Sequence, residues 1–403
     1  MAQGPVAPLV VPFTGERYAA LDRLSDLIAP PYDVIGPGER LTLAAREPHN
    51  VVHLTLPEGR PDGYAAAAKL LERWRGEGVL HQDAGPSVYV VQQEFLMPDG
   101  RARLRTGVIA GLHVEPYELG RVRPHERTHA EPKADRLALA RAIATMPEAI
   151  FLLARDERGH LRRRLDGVTR HAPTVVAELD GVGIGLWRVG GVQGREIAHA
   201  VDHGPLYIAD GHHRYETALR YREENPAATH VPALIVPIAD PGLVALPTHR
   251  IVDGQSVDAE VLLPLLGERF VVEEREAELD PQGLLEGLVG RKPAAVIALP
   301  SGRIYALTAR APSEECLEIA VIERDVVQPV VHAAGQGAAL RYSADPGAVF
   351  DALARGTAAA GVLVRPTPVE RVLEVADARG VMPPKSTYFM PKVPSGLVLM
   401  RYT

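Results

Sequence analysis

The chain has 403 residues, a net charge of −7 at pH 7, 46% apolar residues and 24% charged residues. At about 100–200 residues per domain, this length predicts two or three domains with ordinary globular cores. The net negative charge excludes an overall basic field of the kind that attracts nucleic acid or an anionic membrane, so a bound anion must be held by a local cluster.

The cysteine content and the N-terminal sequence bear on cellular location. The single cysteine, Cys316, excludes an internal disulfide framework and a cysteine-rich zinc site. The first residues, MAQGPVAPLVVPFTGERY, lack a basic segment followed by a long apolar core. We therefore expect no signal peptide, no transmembrane helix and a cytoplasmic location.

Lysine is rare in this chain. Of the 44 Lys and Arg residues only five are lysines, which are Lys69, Lys133, Lys292, Lys385 and Lys392. Because arginine serves almost everywhere else, a retained lysine hints at a need for a compact ammonium group. Chance survival is nevertheless the better explanation for any single one of them.

The first part of the chain is predicted to combine helices and strands around turns that are rich in proline and glycine. The predicted helices cover residues 63–80 and 134–146. The predicted strands cover 86–97, 101–114, 149–156, 183–189, 206–209 and 233–240, and the first two form a hairpin.

After about residue 251 the pattern restarts. Helical periodicity covers 258–270, 342–356 and 369–380, and strand patterns cover 269–274, 294–300, 303–310 and 358–366. The sequence thus predicts a mixed α/β (α+β) protein with one domain over residues 1–250. A further α/β domain over 251–403 ends in a tail with the motif PPKSTYF.

The stretch PLYIADGHHRYETALRY, residues 205–221, predicts a strand that turns directly into a helix at Asp210–Arg214. The first backbone N–H groups of such a helix lack internal partners and carry the positive end of its dipole. Gly211 lets the backbone approach a ligand, Arg214 adds a planar fork, and two histidines add donors. The turn is therefore predicted to bind phosphate or carboxylate. The alternative is that Asp210 caps the helix and the other side chains are solvated.

A second polar cluster is RVRPHERTHAEPKADRL, residues 121–137. Its core alternates general-base candidates with cations, namely His125, Glu126, Arg127, His129 and Lys133. The same residues also fit a charged loop that leads into a helix starting at Asp135.

Three shorter stretches are weaker candidates. Lys385, Ser386 and Thr387 in PPKSTYFMPK supply an ammonium and two hydroxyls, as phosphate loops do, but without the glycines of a Walker A loop. Tyr32 and Asp33 in APPYDVI lie in a proline-fixed loop that suits either a substrate contact or a buried turn. His249–Arg250 in LPTHRIV suits either anion binding or simple exposure.

Together these five stretches resemble the domain-of-unknown-function 1015 family of bacterial and archaeal proteins, over nearly the whole chain. The turn at residues 206–220 is also similar to the strand–turn–helix element of the ParB/sulfiredoxin superfamily, whose free-serine kinases carry a very similar D-G-H-H-R turn. That resemblance implies a nucleotide-binding core of ParB/sulfiredoxin type. Sulfiredoxins place a reactive cysteine in this turn and ParB partition proteins add a helix-turn-helix, and the sequence matches neither feature.

The resemblance and the residues together imply a phosphotransferase that uses ATP or ADP with Mg²⁺ to phosphorylate the hydroxyl of a small metabolite, serine being the first candidate. Its expected partners are the nucleotide and that metabolite, with no nucleic acid and no membrane. The residues expected to bind phosphate or nucleotide are Gly211, His212, His213, Arg214, Lys385, Ser386 and Thr387. The general base is Glu126 or Asp210. The residues expected to contact substrate are Tyr32, Asp33, Arg127, His129 and Lys133.

This mechanism requires the segments around Asp33, Glu126 and Asp210 to meet in one cleft. The phosphate-binding turn at 210–214 (the phosphate cradle), the general base and the acceptor hydroxyl must all surround one reacting centre. Two other functions stay open. A metal-dependent hydrolase would use the pairs His125/His129 or His199/His203, which have the spacing of shared ligands on a helix. A nucleotide-binding regulatory module would form no small-molecule product.

Overall fold

The computed structural model describes residues 7–59, 63–127, 130–201, 203–275, 281–288, 290, 292–312 and 317–402. The chain divides into two compact units, Met1–Leu243 together with Pro391–Thr403, and Val244–Met390. The C-terminal residues thus group with the first unit, whereas the sequence places them with the second domain. The reason is strand pairing, because Met400 pairs with Met146 and Leu399 bridges to Glu16.

The first unit contains most of the strands. They are β1 (Val10–Val11), β2 (Glu16–Tyr18), β3 (Leu80–Gln82), β4 (Ser87–Leu96), β5 (Ala102–His113), β6 (Val122–Arg123), β7 (Thr145–Met146), β8 (Ile150–Ala154), β9 (Val175–Leu179), β10 (Val182–Gly190), β11 (Leu206–Asp210) and β12 (His230–Pro237). Its helices are α1 (Leu24–Leu27), α2 (Pro37–Arg46), α3 (Val52–Thr55), α4 (Gly63–Gly76), α5 (Ala130–Ile143), α6 (His160–Thr169), α7 (Gly191–Val201) and α8 (His212–Glu224).

The main sheet of this unit has the strand order β6-β11-β8-β12-β5-β4-β10-β9, with β1 added to β5. β11 runs parallel to β6 and antiparallel to β8, and β8 runs parallel to β12. Because Asp210 at the end of β11 pairs with Phe151 at the start of β8, the residues that precede β8 lie beside the turn into α8. The predicted hairpin is confirmed as β4 and β5, with Tyr89 opposite Ile109.

The core of the first unit follows from continuous apolar runs. β8 reads IFLLA and is buried throughout, as expected for a strand covered on both faces. Ile150 and Ile208 from the sheet pack in one cluster with Leu161 of α6, Ile197 of α7 and Tyr215 of α8. The predicted strand, glycine turn and helix at residues 206–225 are confirmed as β11, Gly211 and α8.

The second unit has its own sheet and helices. Its strands are β13 (Val244–Leu246), β14 (His249–Asp253), β15 (Phe270–Arg275), β16 (Ala294–Ala298), β17 (Ile304–Ala309), β18 (Ala339–Ser343), β19 (Ala360–Val364) and β20 (Tyr388–Met390). Its helices are α9 (Ala259–Gly267), α10 (Pro281–Glu286), α11 (Glu318–Ile322), α12 (Gln328–Ala333), α13 (Gly347–Ala354) and α14 (Val369–Asp377), with a π-helical turn at Glu323–Val327 between α11 and α12. The last strand of the chain, β21 (Met400–Arg401), belongs to the first unit.

Six strands of the second unit form a sheet in the order β15-β17-β16-β19-β14-β18. His249 and Arg250 lie in β14 and are 1% and 0% exposed, which excludes simple exposure, one of the two alternatives that the sequence left open for them. Arg250 forms an ion pair with Glu323 at 3.1 Å and donates a hydrogen bond to the carbonyl of Thr248. Its charge is thus balanced inside the unit, and Ile251 and Val252 extend the same strand into the core.

The predicted mixed α/β class is confirmed, since each unit combines helices with a sheet of its own. Across the described ranges, each helix is too short or too polar to cross a bilayer.

Candidate functional site

The turn between β11 and α8 is built around a glycine in a left-handed conformation. Gly211 has φ of +93°, and a Cβ atom added there would lie 3.0 Å from Nε of Arg214. A residue with a side chain would be strained at this φ and crowded by the guanidinium group. Gly211 is the cap residue of α8 and has no side chain to satisfy the first N–H groups of the helix. The positive end of the α8 dipole thus begins at a glycine backbone, which favours a bound anion.

Asp210 is held by two cations at the end of β11. Oδ1 accepts a hydrogen bond from Nζ of Lys392, and Oδ2 accepts one from Nη2 of Arg214. Burial by itself raises the pKa of the Asp210 carboxyl, but Lys392 and Arg214 outweigh that effect and lower the pKa below its usual value. Asp210 is therefore ionised at neutral pH, and both of its oxygens are engaged.

Arg214 is buried beneath the turn and stabilises it. Its side chain is 3% exposed, and Nη1 donates to the carbonyl of Ala149, just before β8. Burial lowers the pKa of Arg214, but the charges of Asp210 and Glu148 reverse the shift and raise it. The planar fork predicted to bind phosphate is thus directed at Asp210 and Ala149.

His125 packs edge-to-face on His212, with ring centroids 4.7 Å apart and an interplanar angle of 87°. The backbone N–H of His125 donates to Nε2 of His212 at 3.3 Å, so the proton of the neutral His212 ring resides on Nδ1. Burial lowers the pKa of His125 to about 4 and lowers that of His212 well below its usual value. The pair therefore provides neutral hydrogen-bonding groups beside the turn at pH 7.

The loop that contains Tyr32 and Asp33 is tied to the same region through Glu148. Oε1 of Glu148 accepts hydrogen bonds from the Tyr32 backbone N–H and from Oγ of Ser395, both at 3.0 Å. Asp33 is exposed, and its charge, after those of Asp210 and Glu148, contributes to the raised pKa of Arg214. The segments around residues 33, 125 and 210 therefore approach one another within the first unit.

The guanidinium of Arg136 covers the ring of Tyr32 at 4.1 Å from its centroid and donates to the carbonyl of Thr55 at 2.7 Å. Burial raises the pKa of the Tyr32 hydroxyl, and the neighbouring charge of Asp33 adds to the increase. Tyr32 is therefore a neutral phenol at any physiological pH, able to donate a hydrogen bond to a ligand.

The remaining predicted residues of the first unit have these positions. Glu126 is half-buried and directly follows His125, whereas Arg127 is exposed. Lys133 of α5 donates to Glu216 of α8 at 2.8 Å, so its ammonium fixes the two helices to each other. His213 is half-buried in the first turn of α8. His129 lies outside the described residues.

The predicted phosphate residues of the PPKSTYF motif belong to the second unit. Lys385 is exposed and has a φ of +53°, which is unusual for a residue with a side chain. Oγ of Ser386 donates to the carbonyl of Pro383 at 2.5 Å, and Thr387 is half-buried. The hydroxyl of Ser386 is thus engaged within its own loop.

Sequence reasoning missed two groups of this site, Lys392 and Glu148. Lys392 is one of only five lysines in an arginine-rich chain, and that bias is the signal that could have singled it out. Glu148 is a carboxylate between a proline and the fully buried strand β8, where an unpaired charge is costly. Both owe their place to pairings that are distant in the chain.

The described side chains around Asp210 offer few ligands for a resident Mg²⁺. The described part of the chain contains no group of three or more His, Cys, Asp or Glu residues placed to hold a metal ion. Both oxygens of Asp210 are already bound by cations, whereas Mg²⁺ needs free carboxylate oxygens. The side chains therefore do not fit a preformed Mg²⁺ site. Of the two predicted histidine pairs, His199 and His203 lie with ring centroids 5.0 Å apart, and His129 of the pair His125/His129 lies outside the described residues.

Comparison with protein-family profiles identifies the family of this sequence. The sequence profile of a family described as "Protein of unknown function (DUF1015)" matches residues 10–331. A search of curated proteins found no match.

Solved structures with partial similarity include a mutant free serine kinase in complex with AMP, at 13% identity and a TM-score of 0.39 over 72% of this chain and 92% of that chain. A conserved hypothetical protein from Pyrococcus furiosus matches at 15% identity and a TM-score of 0.38, over 73% of this chain and 95% of that one. SbnI with a C-terminal truncation, from Staphylococcus aureus, matches at 11% identity and 0.36, over 71% and 85%. Similarity this low does not establish a shared fold or function.

Proposed function

The chain belongs to the DUF1015 family, whose profile covers residues 10–331, and we propose that it is a nucleotide-dependent phosphotransferase acting on the hydroxyl of a small metabolite. The observation that carries the proposal is the left-handed Gly211 turn that opens α8 beside the ammonium of Lys392. A helix N-terminus next to a fixed cation binds phosphate groups well.

The nucleotide phosphates bind at the backbone N–H groups of Gly211, His212 and His213. The α8 dipole supplies positive potential, and Lys392 adds a point charge at the edge of the turn. Arg214 acts indirectly in this scheme, because its guanidinium fixes Asp210 and the residue before β8. Lys385, Ser386 and Thr387, which belong to the second unit, remain a separate prediction of phosphate-binding residues.

Glu126 is the proposed general base. It is half-buried and adjacent to His125, which packs against His212 in the first turn of α8. Asp210 suits this role poorly, because Lys392 and Arg214 occupy both oxygens and lower its pKa. A base with a strongly lowered pKa accepts a proton weakly at neutral pH. Asp210 is thus proposed as the anchor of the two cations.

The acceptor hydroxyl is proposed to bind near Tyr32 and Asp33, with Arg127, His129 and Lys133 as further contacts. Serine is the first candidate acceptor. The base takes the proton of the acceptor hydroxyl, and the acceptor oxygen forms a bond to the terminal phosphorus of the nucleotide. The bond from that phosphorus to the bridging oxygen breaks, which releases ADP from ATP or AMP from ADP. Mg²⁺ would arrive with ATP or ADP rather than in a protein site, and it would neutralise phosphate charge when bound.

Turnover of the purified full chain tests the proposal. The protein is incubated with ATP or ADP, MgCl₂ and a panel of hydroxyl metabolites that includes serine, and products are followed by ³¹P NMR. We expect a phosphorylated acceptor with the wild type, and about 100-fold slower turnover with Glu126→Gln at unchanged nucleotide affinity. Glu118→Gln, at an exposed position, is the matched control.

Three outcomes would contradict the proposal. Tight nucleotide binding without any phosphorylated product favours the regulatory module. Release of free phosphate that depends on added Zn²⁺ and on His199 favours the metal-dependent hydrolase. Turnover that is unchanged in Glu126→Gln removes Glu126 as the base.

A further inference from the structure

A cavity of about 380 Å³ lies within the first unit, away from the Gly211 turn. One wall is formed by residues 227–230, which follow the C-terminal end of α8. Because α8 has 13 residues, its two ends are about 20 Å apart. The cavity is therefore a separate place from the proposed phosphate cradle, and its volume is in the range of small-molecule sites.

Arg401 gives the cavity a positive charge. Its Nη2 donates to Glu16, a fully buried carboxylate that also accepts two hydrogen bonds from Arg75. Arg75 also forms an ion pair with a second carboxylate, that of Glu72, but the Glu72 side chain is 70% exposed. One fully buried carboxylate, that of Glu16, thus pairs with two guanidinium groups, of which Arg75 is 15% and Arg401 35% exposed.

One donor of that network is unused. Nε of Arg401 is buried and has no hydrogen-bond partner among the residues that the structure describes. A buried donor without a partner is costly, so Glu16 satisfies the Arg401 guanidinium only in part. The described lining of the cavity includes no aspartate or glutamate that would repel an anion.

The rest of the lining combines neutral polar groups with an apolar surface. Thr14, Gln82 and His230 offer hydrogen bonds, and Nδ1 of His230 lies 2.8 Å from Oγ1 of Thr229. Burial lowers the pKa of His230 to about 4, so the ring is neutral at pH 7. Phe13 and Met400 are two of the apolar residues of the wall.

We propose that this cavity is a binding site for a small organic acid with one carboxylate on an apolar body. The carboxylate pairs with the guanidinium of Arg401, whose side chain lines the cavity and is 35% exposed, and the body packs between Phe13 and Met400. This assignment does not depend on the phosphotransferase function, because its residues do not overlap with those around Gly211.

Titration calorimetry with benzoate, and with benzamide as the uncharged isostere, tests the site in the full chain. We expect benzoate to bind with a dissociation constant of about 1 mM or lower, and benzamide at least tenfold more weakly. Bound benzoate is expected to change the affinity for ADP by no more than about twofold, because the two sites lie at opposite ends of α8.

Two variants locate the binding. Arg401→Lys keeps the charge but lacks the planar guanidinium that pairs with a carboxylate through two N–H groups, so we expect benzoate affinity to fall about tenfold. Thr14→Phe fills the cavity without removing a partner of Glu16, and it should abolish binding. Arg341→Lys, at an exposed ion pair with Asp253, is the matched control and should bind as the wild type does.

Four results would overturn the assignment. They are no benzoate binding to the wild type at about 10 mM, equal affinity for benzamide, full binding by Thr14→Phe, or displacement of benzoate by ADP in direct competition. If Arg401→Lys does not fold, Thr14→Phe together with benzamide still decides the question.

Discussion

Nζ of Lys392 donates a hydrogen bond to Oδ1 of Asp210, although 182 residues separate the two in the chain. The contact brings the C-terminal segment to the turn between β11 and α8. It leaves Asp210 with two bound cations, because Arg214 occupies the other oxygen. The charge balance at the proposed cradle therefore depends on one carboxylate that serves two cations.

Because one carboxylate pairs with two cations, substitutions of these residues should lower the free energy of unfolding by unequal amounts. Lys392→Met leaves the Asp210–Arg214 pair intact, whereas Asp210→Asn leaves two cations without their carboxylate. We expect Asp210→Asn to lower the free energy of unfolding by about 3 kcal/mol or more and Lys392→Met to lower it by less. The double variant should be more stable than Asp210→Asn alone. Urea denaturation measures all three, with Lys69→Met, at an exposed position, as control. Strictly additive effects would contradict the shared pairing.

The conformation of Gly211 predicts a separation of stability from binding. Gly211→Ala and Gly181→Ala both place a Cβ at a positive φ, so each should lose about 1–2 kcal/mol of stability. Only the Cβ at position 211 contacts Arg214 and faces the start of α8. Fluorescence titration should therefore show that Gly211→Ala weakens nucleotide binding and Gly181→Ala does not. Equal nucleotide affinities would argue against the cradle.

The buried pair His125 and His212 predicts a pH dependence of stability. The pKa of folded His125 is lowered to about 4, while the unfolded value is about 6.5. The unfolded state thus binds the extra proton first, so stability is full above pH 6.5 and falls as the pH decreases towards 4. One such group contributes a slope of about 1.4 kcal/mol per pH unit to the free energy of unfolding within this pH range.

His125→Gln should remove that part of the slope, measured by urea denaturation between pH 4 and 7. The exposed His160→Gln serves as the control and should keep the wild-type slope. An unchanged slope in His125→Gln would show that the ring is already protonated, or solvated, in the folded state.

The hydrogen bonds of Glu148 predict a selective effect on the acceptor. Glu148→Ala removes the acceptor for the Tyr32 backbone N–H and for Ser395, and it should cost about 1–3 kcal/mol of stability. The loosened Tyr32 loop should raise the KM for the hydroxyl acceptor while nucleotide affinity stays the same. Ser395→Ala keeps the bond to Tyr32 and should leave KM near the wild-type value. A loss of nucleotide affinity with unchanged acceptor KM would contradict this role.

The local parts of the fold were predictable from the sequence. The alternation and turn signals at residues 86–114 predict the hairpin, and the apolar run before Asp210 predicts the strand that enters α8. These elements depend on short-range patterns, which a single sequence displays. The predicted helix at 134–146 is present as α5, which begins earlier, at Ala130, and ends at Ile143, before the positive φ of Ala144.

The long-range pairings were not predictable in the same way. Nothing near Lys392 in the sequence indicates that its partner is Asp210, and nothing near Glu148 indicates Ser395. His249 and Arg250 show the converse difficulty. The sequence left anion binding and exposure both open for these two residues, but β14 is an interior strand of its sheet and Glu323 compensates the buried guanidinium. Burial of polar residues depends on partners that only the tertiary structure supplies.

A crystal structure of the full chain with ADP tests the central claim most directly. The account predicts phosphate oxygens within about 3 Å of the backbone nitrogens of His212 and His213, with Nζ of Lys392 beside them and the carboxylate of Glu126 facing the terminal phosphate. Phosphates bound elsewhere, with the first turn of α8 open to solvent, would contradict it.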